Sequence, residues 1–184
     1  IRSTLERTSF GTAPGTSRLA VVDADVYDES PVLGDPTSSY VLANNVRDNR
    51  GAIVGGAPVQ LLRIDRAVGS IVPFDTGSSL PIFQFAQDDA ALYVASVSAS
   101  ATGDDAGASG RTSIRRIDKG TGAISTIYER PLESSGTDTS GFLGVQVDAT
   151  AVYAIYRGPT AADGQVEVLV VKLSRAGGTP TTIY

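Results

Sequence analysis

The stretch VQLLRIDRAVGSI (residues 59–71) is written twice more in this chain, as TSIRRIDKGTGAI (112–124) and as EVLVVKLSRAGGT (167–179). Arg63-Ile64-Asp65-Arg66 lies 53 residues before Arg116-Ile117-Asp118-Lys119, and Lys172-Leu173-Ser174-Arg175 follows 56 residues later. Each line runs into a glycine: Gly69, Gly122 and Gly178. Glycine at such a place permits the positive φ of a tight hairpin. A short β-rich run follows every turn: SIVPF (70–74), AISTIYE (123–129) and TPTTIY (179–184).

A second anchor stands upstream of each copy. Tyr40 opens YVLANN, Tyr93 opens YVASVSAS and Tyr153 opens YAIYRGP. Two of the three follow an apolar strand, PIFQFAQDDAALY (81–93) and FLGVQVDATAVY (142–153), with Asp88 and Asp148 five residues ahead of the tyrosine. An Asp followed by small or polar residues turns the chain by bonding its own backbone. The first copy is irregular. Val22-Asp23-Ala24 echoes Val147-Asp148-Ala149, so either Tyr27 or Tyr40 could hold the tyrosine position. Tyr40 fits better, because its 23-residue distance to Arg63 equals that from Tyr93 to Arg116. On that choice Leu19 to Ala24 is the first strand and 25–38 an insertion.

One unit therefore reads strand, Asp turn, Tyr-led strand, variable loop, strand, Gly turn, strand. Val, Ile, Thr and Tyr dominate the runs, several alternate with period two, and no segment shows capped helical periodicity. A four-stranded unit at a period of this size is the pattern of a propeller blade. The expected fold is all-β: a partial β-propeller of about three four-stranded antiparallel blades at 19–75, 81–129 and 142–184, after an N-terminal extension at 1–18. A β-sandwich or barrel of about 10–12 strands is the alternative.

The Asp turn, Tyr-led strand, Ile/Leu-x-Arg/Lys line and Gly turn resemble YWTD-like and related bacterial β-propeller repeats. The residues that carry the likeness are Tyr40, Tyr93 and Tyr153, with Ile64-Asp65-Arg66, Ile117-Asp118-Lys119 and Leu173-Ser174-Arg175. The chain departs from the family pattern: Val, Val and Ala follow the tyrosines where Trp is expected, and the Thr-Asp ending is missing. The resemblance implies blades of large secreted or surface proteins of bacteria, most of them binding platforms and a minority lyases or hydrolases.

Closed propellers have four to eight blades. Three would leave broad sheet faces in water, and at ~25 cal/mol per Å² of apolar surface that forfeits several kcal/mol and invites aggregation. A protein partner, a second copy completing a six-bladed ring, or further sequence of a longer chain is expected to cover them.

Composition narrows the chemistry. The chain has 184 residues, 41% of them hydrophobic, with 20 Gly and 9 Pro spread as turns. Its net charge is −5, and it has no Lys/Arg cluster of the kind a phosphate-binding stripe needs. The densest cationic run, Arg111 to Lys119, alternates with apolar residues and reads as a strand face. Nucleic acid is not an expected partner. There is no Cys, His, Met or Trp. That removes disulfides, thiolate metal sites and the commonest general base, and leaves little to oxidise, which suits an extracellular or cell-surface setting. No apolar run reaches the ~18–20 residues of a membrane span, and 1–15 lacks the apolar middle of a signal peptide.

The candidate metal ligands are Asp23, Asp25, Asp28 and Glu29, an acidic cluster whose oxygens suit Ca²⁺ but which lacks the Gly and distal Glu of an EF-hand loop. Asp104-Asp105 is a weaker cluster. Asp88, Asp89 and Asp148 could serve glycoside hydrolysis without any His, although their recurrence at blade turns points to a turn role. Tyr128, Tyr153, Tyr156 and Tyr184 could stack on sugar, or fill a core. Arg63, Arg116 and Lys172 recur at equivalent places, either lining an anion site or pairing outward with Asp65 and Asp118. GASGRTS and GTAPGTS lack the Gly-Lys-Ser/Thr ending of a phosphate loop. The expected function is a non-catalytic binding or assembly module, with a carbohydrate-binding protein or glycoside-active enzyme, and a filament subunit, as alternatives.

Overall fold

A computed structural model describes residues 3–9, 15–22, 25–26, 32–44, 59–74, 82–98, 110–132, 134–135 and 138–184. Among these residues the chain is all-β. It divides into two compact units, Ile1–Asp75 and Thr76–Tyr184.

In the first unit, β1 (Ser3–Ser9) and β2 (Gly15–Val22) form an antiparallel pair of their own. The main sheet is built on β5 (Ser38–Asn44), β6 (Val59–Asp65) and β7 (Ile71–Phe74), paired in that order. Its first row is split: β3 (Asp25–Val26) pairs with Asn44 and Ala43, and β4 (Leu33–Gly34) pairs with Tyr40 and Ser39. This corrects the expectation for the first copy. Leu19 to Val22 pairs with the N-terminal strand, and the row beside Tyr40 comes from 25–34, the segment read as an insertion. The apolar run at 19–22 does form a strand, but its side-chain pattern says nothing of which strand it joins. Tyr40, Leu42, Leu61, Leu62 and Ile64 are buried, and the Tyr40 ring meets Phe74 edge-on at 6.0 Å.

The second unit holds two sheets. One runs β8 (Ile82–Gln87), β9 (Ala91–Ser98), β10 (Arg111–Asp118), β11 (Ile124–Pro131). A small pair, β12 (Ser134–Ser135) and β13 (Asp138–Thr139), precedes the last sheet. That sheet runs β14 (Gly141–Val147), β15 (Ala151–Thr160), β16 (Val166–Ser174), β17 (Thr181–Thr182). All three main sheets are antiparallel, and none closes on itself into a barrel.

Period-two alternation sorts the side chains of the second unit by face. One face of the β8–β11 sheet sets Ala86, Tyr93, Ala95 and Ile114 into a common core with Val145, Val152, Ala154, Tyr156, Val171 and Leu173 of the β14–β17 sheet. Phe142 sits between them, its ring edge-on to Tyr128 at 5.9 Å and to Tyr156 at 5.5 Å. Burying each such side chain is worth ~1.5–3 kcal/mol. The buried Thr112 Oγ1 accepts the Phe142 N–H at 3.1 Å, so one hydrogen bond also joins the two sheets. Buried polar groups need such partners, and Ser96 and Ser113 satisfy each other at 3.1 Å.

Candidate functional site

Each sheet carries the same device at its first turn. Asp88 Oδ1 accepts the N–H groups of Ala90 and Ala91 at 2.8 Å, and Oδ2 accepts the Tyr93 hydroxyl at 2.8 Å. Asp148 repeats this with Thr150 and Ala151 (2.7 and 2.8 Å) and with the Tyr153 hydroxyl at 3.0 Å. In the first sheet Asp35 accepts Thr37 and Ser38 N–H at 2.9 and 2.8 Å, and the Tyr40 hydroxyl at 3.4 Å. One oxygen shapes the turn while the other holds the tyrosine of the strand that leaves it. Sequence reading found Asp88 and Asp148 but missed Asp35, which stands at the same five-residue spacing before Tyr40. That spacing was the available signal, and it also settles the tyrosine position on Tyr40.

The second turn is equally regular in two copies. Asp65 Oδ1 accepts Ala67 and Val68 N–H, and Asp118 Oδ1 accepts Gly120 and Thr121 N–H. Gly69 and Gly122 follow at φ 69° and 73°, the left-handed region that glycine enters without strain. In the third copy Ser174 replaces the Asp, its hydroxyl oxygen accepts only the Ala176 N–H, and both Gly177 and Gly178 take positive φ.

A cation closes each unit. Arg66 Nη1 donates to the Asp35 carbonyl at 2.6 Å, Lys119 Nζ to the Asp88 carbonyl at 2.7 Å, and Arg175 Nη1 to the Ala149 carbonyl at 3.0 Å. Arg175 does more. Its Nε donates to the Tyr93 hydroxyl at 3.3 Å and its Nη2 pairs with the Asp88 carboxylate. One guanidinium thus joins the last sheet to the Asp–Tyr pair of the sheet before it, a planar fork suited to such a site.

Arg63, Arg116 and Lys172 lie directly across from Tyr40, Tyr93 and Tyr153 in the strand ladders. Lys172 Nζ stands 5.8 Å from the Tyr153 ring centroid, Arg63 stands 5.8 Å from that of Phe74, and Arg116 pairs with Asp118 at 3.8 Å. Each of these cations thus occupies the ladder position opposite a tyrosine, and Lys172 alone is placed over that ring. The Asp118 pair is partly solvated and worth ~0–1 kcal/mol.

The candidate hydrolytic carboxylates are occupied. The Thr150 N–H, then its hydroxyl and the Ala151 N–H, hold the Asp148 carboxyl down at about 2. A carboxyl that stays ionised cannot serve as a general acid near neutral pH. Asp88 is engaged by two amides, a tyrosine and an arginine, and Asp89 is an exposed turn residue. Of the tyrosines considered for sugar stacking, Tyr156 is buried beneath Arg130, whose guanidinium carbon is 3.8 Å from the ring centroid. Tyr128 packs against the core, Tyr153 is half-buried and Tyr184 is exposed. Asp23, Asp28, Glu29 and Asp104-Asp105 lie outside the described residues, and Asp25 is placed only as a strand residue opposite Asn44.

The outer face of the last sheet is the remaining feature. Cross-strand rows place Ile155 beside Val170 and Val170 beside Ile183, with Val168 opposite Arg157. Ile155 is 43% exposed, Val168 44% and Ile183 53%. No family model matches this chain, and a search of curated proteins finds no match.

Proposed function

We propose that this chain is a non-catalytic module of propeller type that works by binding and assembly, in an extracellular or cell-surface setting, with its sheets as blades. The four-stranded meander repeated three times and the face-to-face packing of the last two sheets support the blade reading. The observation that carries the function is the outer face of the β14–β17 sheet. Its inner face fills a core, while its outer face leaves Ile155, Val168 and Ile183 in a cross-strand apolar patch. A contiguous patch rimmed by Tyr153, Lys172 and Arg157 is the expected form of an interaction surface. The engagement of Asp88 and Asp148 in turns supports a binding role over a glycosidic one.

The test is Ile155→Lys. Wild type is expected either to sediment above monomer mass or, as a monomer, to bind a hydrophobic dye. The variant is expected to lose both behaviours while its circular dichroism spectrum stays unchanged. A wild-type monomer that binds no dye would overturn the reading, as would turnover of a panel of glycosides.

A further inference from the structure

Within the second unit the β14–β17 sheet covers one face of the β8–β11 sheet, and a single turn, Arg175-Ala176-Gly177, pins it there. Arg175 Nε donates to the Tyr93 hydroxyl at 3.3 Å, and Nη2 pairs with the Asp88 carboxylate. Two residues on, Gly177 comes so close to β11 that a Cβ would stand 3.0 Å from the Ile127 carbonyl oxygen. Its φ of 91° also suits glycine. The arginine reaches across the joint, and the glycine lets the two backbones approach.

The outer face of the β14–β17 sheet repeats the covered face position by position. Tyr153, Ile155, Val170 and Ile183 stand where Tyr93, Ala95, Ile114 and Ile127 stand in the sheet before, and Ile155 faces Val170 across the ladder as Ala95 faces Ile114. The four covered residues are at most 5% exposed, whereas Ile155 is 43% and Ile183 53% exposed. The acceptor is repeated as well. The Tyr153 hydroxyl donates to Asp148 at 3.0 Å, as the Tyr93 hydroxyl donates to Asp88 at 2.8 Å. Asp148 is exposed, and among the described residues no arginine reaches it. Its turn keeps it ionised, the state in which a carboxylate binds a guanidinium fork most strongly.

Resting on the binding reading above, we propose that this face receives the β-sheet of a different protein bearing an Arg-x-Gly turn, with the arginine on Asp148 and Tyr153 and the glycine against the backbone at Ile183. Ile155 and Ile183 are then covered as Ala95 and Ile127 are. A second copy of this chain has no such turn to offer. Arg175-Ala176-Gly177 is the one Arg-x-Gly in the sequence, and it is already engaged at Asp88 and Tyr93. The cations at the same place in the other repeats, Arg66 and Lys119, have Val68 and Thr121 where the glycine is needed.

The experiment presents the face with a sheet of this kind. The full chain is extended after Tyr184 by a second copy of residues 129–184, so that Tyr184 runs into Glu129 as Tyr128 does. Linkage holds the added sheet near the face at high effective concentration, and its Arg175 stands in for the partner's arginine. Amide exchange is expected to show protection along the added copy of β15 and new protection at Ile183 and Tyr184. Arg175→Gln in the added copy is expected to raise its opening constant about tenfold or more, the effect of losing a charge-assisted hydrogen bond. Gly177→Ala in that copy should act in the same direction. Asp148→Asn in the original copy should match Arg175→Gln, and the two together should cost little more than either alone. Circular dichroism of the unextended Asp148→Asn chain checks that its turn survives. An added copy that stays unprotected overturns the inference, because the same sheet already covers the β8–β11 face. Protection indifferent to Arg175→Gln and to Asp148→Asn overturns the arginine anchor. Unextended wild type is expected to sediment as a monomer that binds a hydrophobic dye, and the extended chain to lose that binding. A wild-type oligomer dispersed by Ile155→Lys would overturn the different protein in favour of a second copy, while leaving the binding reading standing.

Discussion

Replacing Phe142 by Ala tests which face of the last sheet is interior. Phe142 is 1% exposed and meets two rings edge-on, Tyr128 at 5.9 Å and Tyr156 at 5.5 Å. Truncating a buried Phe costs ~3–5 kcal/mol, and edge-on aromatic pairs add ~0.5–1.5 kcal/mol beyond area. With two such partners lost the cost should fall at the upper end, ~4–5 kcal/mol. Whole domains have ~5–15 kcal/mol of stability, so the second unit should be left barely folded. Ile155→Ala is the control. Ile155 lies on β15 one residue from Tyr156 but points outward, 43% exposed, and should cost ~1 kcal/mol in dilute solution. Urea denaturation followed by tyrosine fluorescence, which no tryptophan obscures, reads both. Amide exchange along β15 assigns the transition to the second unit. For a urea slope of ~2 kcal/mol/M the midpoint should fall by about 2 M for Phe142→Ala and by about 0.5 M for Ile155→Ala. Equal shifts, or a larger one for Ile155→Ala, would mean that the inner and outer faces are assigned the wrong way round, and the packing argument would fail with them.

The Arg175–Asp88 joint should appear as coupling: a double-mutant cycle of Asp88→Asn and Arg175→Gln by urea denaturation is expected to give ~1–3 kcal/mol, and a value near zero would show the pair to be incidental. Gly177→Ala should destabilise more than Gly122→Ala by thermal melting. Both have positive φ, but a Cβ at 177 would stand 3.0 Å from the Ile127 carbonyl oxygen, whereas one at 122 meets nothing within 4 Å; the reverse order would place the third turn wrongly. Asp148 supplies a pH prediction. Its carboxyl titrates near 3.8 when unfolded and about 2 when folded, so its contribution is complete above pH 4 and disappears as pH falls through 2. Asp118 is depressed in the same direction, by the Thr121 N–H first and then the Thr121 hydroxyl. Asp148→Asn should therefore flatten the acid limb of a melting-temperature profile between about pH 4 and 2 while changing its shape little at neutral pH; an unchanged acid limb would contradict the turn geometry.

The sequence is most informative where the physics is local. Turn glycines, aspartates that cap their own backbone and tyrosines that lead a strand act within a few residues, and a repeat displays each more than once. Asp88, Asp148, Gly69 and Gly122 were legible for that reason. Asp35 escaped because the row before it is broken into two-residue pieces, so no apolar strand pointed to it. Leu19 to Val22 illustrates the converse: an apolar pattern announces a strand, but the partner is decided by contacts far along the chain. The joint made by Arg175 is of the same kind. Its acceptor lies 87 residues away, and only the registers of both sheets bring the two together. The acidic cluster at Asp23, Asp28 and Glu29 is a sequence expectation alone.

In both sheets of the second unit hydrogen-bonded neighbours follow one another along the chain, and in the first main sheet β5, β6 and β7 do the same. Loops close over short distances, so each meander can form early and by itself. The same arrangement has a genetic corollary. Duplicating or excising one whole segment of 53–60 residues would break no ladder, whereas removing an inner strand such as β9 or β15 would break two. Proteins of this construction should vary across their lineages in the number of units and seldom in the strands within one.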